Sequence, residues 1–372
     1  LTLAVVRDEE RVDTRGETDM MTLRQLSSKL ESIPLATSWL LEELGVARGR
    51  QDLHATQSPQ RLKALREHAV IESAVSSNRM EGVEIDRKRV ATVLFGKPRF
   101  RDRNEEEVRG YRNALRLIHE RGARLPVVEE TILRLHRLCR GTEWDAGKYK
   151  ERAEPIIERF PDGRSRVRFQ PASAKDSRPF LIETLSLWRE CLRDRKVPPL
   201  VALAAMNLDF LCIHPFRDGN GRTSRLILLL QSYHLGYEVG RYVSLERIIE
   251  ENKERYYETL HVSSAGWHKG RHDPWPYINH VLFILKTGYG ELEQRLGRGR
   301  EPKGAKTEQI IAAIARQTGD FRTADIQRAC PGVGVDMIRK VLVGLRPGVE
   351  CLRRGPNAPY RKTAKWNSVR SK

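Results

Sequence analysis

The sequence predicts a mainly α protein, in which a large helical bundle carries one β-hairpin and is followed by a small basic domain. Three observations predict it. Apolar residues recur at helical spacing through most of the first 296 positions, and many of these segments close on a glycine. One stretch, PIIERFPDGRSRVRFQP, departs from this pattern, with two short runs holding Ile, Phe and Val around a Pro-Asp-Gly turn. Beyond residue 297 the charge balance changes: 17 Lys/Arg stand against 6 Asp/Glu, so this last fifth carries +11 of the +18 of the 372-residue chain.

Taken in order, residues 1–22 mix acidic and basic side chains without periodicity and read as a flexible tail. An N-terminal helical region, 23–98, contains LATSWLLEELG, which Gly45 is expected to stop, and SPQRLKALREHAVIESAVSSNRMEG, running from a Ser-Pro start to Gly82. The central region, 99–296, holds the helices EEEVRGYRNALRLIHERG and VVEETILRLHRLCRG and then the hairpin. After it come FLIETLSLWRECLRD, LVALAAMNLDFLCI, RTSRLILLLQSYHLG, LERIIEENKERYYETLHVSS and PWPYINHVLFILKTGYGELEQRL. GRGREPKGAK, 297–306, has the composition of a linker. Residues 307–372 read as three helices, TEQIIAAIARQTG, TADIQRACPG and VDMIRKVLVGLR, then two strands in VECLRRGPNAPYRKT.

Composition excludes several classes. At 39% apolar residues the chain is too hydrophobic for general disorder. No apolar run reaches bilayer-spanning length, and LTLAVV is cut short by RDEER before it makes a secretory core, so no membrane partner and a cytoplasmic location are expected. The five cysteines are dispersed without a CxxC pair, which argues against a disulfide framework and a structural zinc. The basic excess favours an acidic partner.

The chemistry concentrates in HPFRDGNGR, 214–222, directly after the apolar run LDFLCI. A helix ends near Ile213 and another starts around Asn220 or Gly221. The first N–H groups of a helix lack intrahelical partners and carry the positive end of its dipole, so Gly219, Asn220 and Gly221 suit an anion such as phosphate. Arg222 and Arg225, three apart, are expected on one face to hold further phosphate oxygens. Asp218 is a hard oxygen ligand placed to hold Mg²⁺ as metal, and His214 is a candidate base toward a hydroxyl. Alone, each residue would be an ordinary turn, helix face or core histidine.

Together they resemble the Fic family, whose pattern HxFx[D/E]GNGRxxR is matched by His214, Phe216, Asp218, Gly219, Asn220, Gly221, Arg222 and Arg225. The likeness extends roughly from Leu23 to Leu296 and implies a Fic-type helical bundle with the hairpin, Glu154 to Gln170, as its flap. It also implies transfer of AMP from ATP, with Mg²⁺, to a Ser, Thr or Tyr hydroxyl of a target protein. In that reaction His214 is the catalytic base, Asp218 the metal ligand, and Gly219, Asn220, Gly221, Arg222 and Arg225 hold the nucleotide. Phe216 anchors the loop in the core. SNRMEG resembles the family's inhibitory motif [S/T]xxxE[G/N], which implies that Ser77, Glu81 and Gly82 form a brake in which Glu81 pairs with Arg225 and takes the place of the γ-phosphate.

Residues 307–372 resemble a winged helix, with VDMIRKVLVGLR as recognition helix and Arg353, Arg354, Arg361 and Lys362 on or near the wing. DNA is the partner this favours, ahead of a docked protein. Rival readings are a DNA-binding regulator whose Fic domain senses nucleotide, removal of AMP in place of its addition, and transfer of UMP or phosphocholine. A homodimer is left open.

Overall fold

The computed structural model describes residues 20–57, 59–96, 99–153, 155–159, 164–297, 305–330, 333–353, 355 and 358–366. The expected tail up to residue 19, most of the linker and the hairpin turn at 160–163 lie outside them. The chain divides into two compact units, Leu1–Leu296 and Gly297–Lys372.

The first unit begins with α1 (Thr22–Lys29), α2 (Leu35–Gln57), α3 (Pro59–Arg79), α4 (Val90–Phe95), α5 (Arg103–Arg121) and α6 (Glu129–Arg140). An antiparallel pair, β1 (Ile156–Arg159) and β2 (Ser165–Phe169), follows. It is succeeded by α7 (Ala174–Asp194), α8 (Pro199–Ile213), α9 (Asn220–His234), α10 (Leu245–Glu251), α11 (Lys253–Ser264) and α12 (Trp275–Gly297). Every residue of α8 from Leu200 to Ile213 is buried, as a helix apolar on all sides must be. It forms the axis of the unit: α1, α7, α9 and α11 pack on it, and α5 and α6 pack on α9. The functional turn joins the two most enclosed helices of the bundle.

Three element boundaries differ from the sequence expectation, each for a local reason. Met21 and Thr22, assigned to the tail, are buried, because Asp209 on α8 accepts the N–H groups of Thr22 (2.8 Å) and Leu23 (3.0 Å) and caps α1. Burial raises that carboxyl to about 6 against the pull of these bonds and of Trp267. Gly45 does not stop α2. The cost of a glycine inside a helix, about 1 kcal/mol, is outweighed where neighbours such as the fully buried Leu44 hold the helix on the core. The segment read as one helix from Leu245 breaks at Asn252, whose side-chain amide donates to the Ile248 carbonyl (2.8 Å) and competes with helix continuation.

In the hairpin, Ile157 pairs with Val167 and both are exposed, while Ile156 and Phe169 turn toward the unit and line a cavity. Phe169 stacks on His268 (5.6 Å between centroids), and His268 Nε2 lies 2.6 Å from the Gln170 carbonyl. The base of the hairpin is thereby fixed, and its outer apolar pair stays free.

The second unit contains α13 (Ala305–Ala315), β3 (Phe321–Arg322), α14 (Thr323–Ala329), α15 (Val335–Gly344), β4 (Val349–Cys351) and β5 (Pro359–Lys362). The antiparallel sheet has the order β3-β5-β4 around a core that includes Ile310, Ile314, Phe321, Ile326, Ile338 and Leu342. The two-residue strand β3 is too short to have a readable periodicity. The cations expected on the wing are not all available: Arg361 is paired with Asp320 (2.6 Å), and the Lys362 ammonium donates to the Ala315 carbonyl (3.0 Å). Arg353 is exposed, and Arg354 lies outside the described residues.

Candidate active site

α8 ends because His214 enters the left-handed region, φ 49° and ψ 61°, with its N–H still bonded to the Phe210 carbonyl (2.9 Å). That conformation is unfavourable for a side chain with a Cβ and persists when its surroundings impose it. Lys150 imposes it from the loop after α6. Its backbone N–H donates to the Pro215 carbonyl (2.9 Å) and its ammonium to the Ile213 carbonyl (3.0 Å), so the carbonyls on both sides of His214 are held.

Beyond His214, Phe216 is fully buried and stacks on His136 with ring centroids 3.8 Å apart. His136 Nδ1 accepts the Gly147 N–H (3.0 Å), so the ring proton is on Nε2 and donates to the Asp218 carbonyl (2.9 Å). The carboxamide of Asn220 closes the loop on itself: Oδ1 accepts the Phe216 N–H (2.9 Å) and Nδ2 donates to the Phe216 carbonyl (2.7 Å). Gly219, at φ +78°, permits the left-handed step into α9.

The result is an uncapped helix start. No side chain caps α9, so the first-turn N–H groups of Asn220 and Gly221 have no intrahelical acceptor, while the Gly219 N–H already donates to the Asp218 carboxylate (2.5 Å). The expected anion site therefore uses two of its three N–H groups in this state. It opens on a cavity of ≈ 270 Å³ whose polar wall includes His214, Gly221, Arg225 and Glu81, and whose apolar wall includes Phe169, Leu211, Tyr256, Tyr257 and Leu260.

His214 is neutral there. Burial, reinforced by the charge of Lys150, lowers its pKa to about 4, and its buried Nδ1 has no hydrogen-bond partner. A neutral imidazole beside an anion site is in the protonation state that accepts a proton from an incoming hydroxyl.

Arg225 points into the same cavity. Burial works against its charge, but Glu81 and the surrounding tyrosines hold its pKa above the ordinary arginine value. Its Nε donates to Ser77 Oγ (2.8 Å), and Nη2 donates to the Ser77 carbonyl (2.9 Å) and to Glu81 Oε1 (2.8 Å). α3 ends at Arg79 and Gly82 turns the chain at φ +76°, leaving Glu81 at the tip. A Cβ on Gly221 would lie 2.2 Å from Glu81 Oε1, so a glycine is needed at this position for the carboxylate to rest against the first turn of α9. Ser77, Glu81, Gly221 and Arg225 are thus brought together.

Arg222 is not with them. The expectation of two arginines on one phosphate-facing surface is corrected: Arg222 is 1% exposed, does not line the cavity, and donates to Glu107 Oε2 (2.6 Å) and Asn78 Oδ1 (3.2 Å). Residues three apart on a helix are offset by about 60°, which here separates the cavity from the packed interior. Asp218 also faces away from a simple ligand role. Burial alone would raise its pKa, but Arg140 and Arg222 bring it below the ordinary range, and its carboxylate accepts from Arg140 (2.7 Å) and Arg103 (3.2 Å). Among the described residues no cluster of three His, Cys, Asp or Glu side chains could hold a metal ion. Asp218, half-exposed and with both oxygens engaged, is the carboxylate of the turn that Mg²⁺ would take, with substrate phosphates supplying the remaining ligands.

Sequence reasoning passed over the residues that hold the turn from behind. Glu107 on α5 bridges Arg103, Arg140 and Arg222, and Arg140 reaches on to Asp145. Arg168 on β2 lines the cavity and lies over the Tyr257 ring at 4.8 Å. The available signal was charge inside amphipathic helices: Glu107 and Arg140 occupy buried positions of α5 and α6, where a lone charge would be costly.

Residues 126–232, which include α6, α8 and most of α9, match the model of the Fic/DOC family. The chain is 31% identical over 117 residues to protein adenylyltransferase fic-1 of Caenorhabditis elegans and 27% identical over 128 residues to that of Caenorhabditis briggsae. These segments cover 31% and 34% of this chain but 20% and 22% of those proteins, so the chain spans about a fifth of the length of the curated relatives it matches. Among solved structures, a Fic family protein from Desulfovibrio desulfuricans aligns over 90% of this chain and 98% of its own, with TM-score 0.58 and 24% identity. A Fic domain containing signaling protein from Bacteroides thetaiotaomicron aligns over 70% of this chain and 99% of its own, with TM-score 0.58 and 20% identity. Fic-1 from C. elegans aligns over 74% and 80%, with TM-score 0.51 and 21% identity. These structural likenesses establish the fold.

Proposed function

We propose that this chain, whose residues 126–232 match the Fic/DOC family, transfers AMP from ATP to a Ser, Thr or Tyr hydroxyl of a target protein and is restrained by Glu81. The observation that carries the reading is the convergence on one cavity of a neutral His214, the uncapped start of α9 and the buried cation of Arg225. The hydroxyl oxygen attacks the α-phosphorus, the bond from that phosphorus to the β-bridging oxygen breaks, pyrophosphate leaves, and the hydroxyl proton passes to His214. The N–H groups of Asn220 and Gly221 stabilise charge on the α-phosphate as it builds, and Arg225 holds the outer phosphates. Mg²⁺ would be held by Asp218 and would neutralise phosphate charge. The exposed edge of the β1–β2 hairpin would pair with the target backbone and align its hydroxyl.

Glu81 supports the restraint, since its carboxylate already meets Arg225 and lies against Gly221, where a terminal phosphate would go. In the second unit, the order α13-β3-α14-α15-β4-β5 favours a winged helix, and its basic excess favours DNA as partner. With Arg361 and Lys362 engaged inside the unit, contacts to phosphate fall mainly to α15 and Arg353.

The test is incubation with labelled ATP and Mg²⁺ followed by mass spectrometry. Glu81→Gly should raise labelling, self-modification included, by at least about tenfold, which corresponds to about 1.4 kcal/mol. Adding His214→Ala should reduce it by roughly 10²–10⁴. A Glu81→Gly protein that binds ATP and labels nothing would refute transfer.

A further inference from the structure

We propose that the far side of the His214 turn carries a subsite for an acidic side chain of the target protein, next to the hydroxyl to be modified. The proposal rests on the transferase reading above and concerns a second cavity of ≈ 230 Å³, separate from the nucleotide cavity. Its wall is formed by Trp144, Asp145, Tyr149 and the consecutive residues Lys150, Glu151 and Arg152, together with Arg217 from the turn itself. One turn therefore serves both spaces: His214 lines the nucleotide cavity and Arg217 lines the other.

The charge in this second space is unbalanced. Asp145 is buried and already paired with Arg140 (3.2 Å), which leaves Glu151 as its one uncommitted carboxylate. Against it stand three cations. Arg217 and Arg152 are exposed and have no carboxylate partner among the described residues, the Arg217 guanidinium lying 5.1 Å from the centre of the Trp144 ring. Lys150 is 6% exposed, and its ammonium, with three protons, has a single acceptor in the Ile213 carbonyl. A buried cation with unused donors and two free guanidinium groups at the rim match a carboxylate that enters between them. The indole of Trp144, 56% exposed, gives a flat apolar wall on which Arg217 is already oriented.

Position determines the kind of ligand. Lys150 bonds to the carbonyls of Ile213 and Pro215, so this space adjoins the backbone that presents His214. A target chain that brings a hydroxyl to His214 approaches the same stretch of backbone, and a neighbouring Asp or Glu is the group that would reach in. The subsite would thus select hydroxyls in an acidic context.

The experiment uses the full chain with Glu81→Gly and two fluorescein-labelled peptides, Glu-Asp-Ser-Asp-Glu and its amide counterpart Gln-Asn-Ser-Asn-Gln. Binding is read by fluorescence anisotropy and AMP transfer by mass spectrometry. The acidic peptide should bind roughly tenfold more tightly, and Arg152→Ala with Arg217→Ala should remove most of that preference. Equal binding of the two peptides, or a preference the double substitution leaves intact because it arises on the basic second unit, overturns the subsite. A preference that the substitutions abolish, with no AMP found on either peptide or on the protein, supports the subsite and retires the transferase reading.

Discussion

The two sides of α9 present the same chemistry under different constraints. Facing the cavity, Arg225 is buried, yet the carboxylate that pairs with it sits at a helix tip and is 26% exposed. Facing the interior, Arg222 and Arg140 meet Glu107, and all three side chains are at most 4% exposed. In the proposed function the cavity-side pair parts, because water or a phosphate can reach Arg225 in place of Glu81. The interior group has no such substitute and is bound to stay closed, since separating any member strands a charge in the core. An ion pair suits a switch when one partner stays within reach of solvent, and a strut when both are buried.

Acidification should break this comparison most severely. Burial depresses the pKa of His136 to about 4, so its protonation is resisted in the folded state and welcomed in the unfolded state at its ordinary value of 6.5. The stability it permits is present above 6.5 and is lost as the pH falls toward 4, on the order of 3 kcal/mol for this ring. His214 acts in the same direction. Asp209, raised to about 6, opposes them over part of the window. Thermal melts followed by circular dichroism should show the midpoint falling between pH 7 and pH 4.5, and a flat profile would contradict a buried neutral His136.

Of similar size is Glu107→Ala, which leaves Arg140 and Arg222 short of their shared carboxylate and should cost about 3–5 kcal/mol in urea denaturation. Glu81→Ala should cost less, about 1–2 kcal/mol, because Arg225 keeps both Ser77 acceptors. Equal losses would erase the distinction between switch and strut. The smallest effect is expected from Arg79→Ala, which removes the partly exposed pair with Glu250 (2.8 Å) near the tip of α3. About 0.2–1 kcal/mol should be lost. If that pair helps to hold the tip in place, labelling should rise slightly with it.

The parts legible in the sequence were those encoded by neighbours along the chain. Helical spacing marked α5, α6, α8 and α9, and glycine marked the ends of α5 and α6 at Gly122 and Gly141. Where a glycine carried on through α2, or an asparagine split α10 from α11, the outcome depended on packing and on a side-chain hydrogen bond, which no local pattern reports. The turn from His214 to Arg225 was readable as a site because its residues lie within twelve positions of one another. Lys150, Glu107 and Arg168 were not, because each reaches that site from another element.

By itself the amino-acid sequence determined that a buried helix must end at residues 213–214 and a second must start near 220, with glycines and an asparagine shaping the gap. Only the tertiary structure decided which of two arginines on that second helix would meet the cavity and which the core. A rotation of about 60° separates them, and the choice depends on where Glu81 and Glu107 arrive from α3 and α5. Local spacing sets directions around a helix axis, whereas burial and charge pairing are properties of whatever lies in those directions.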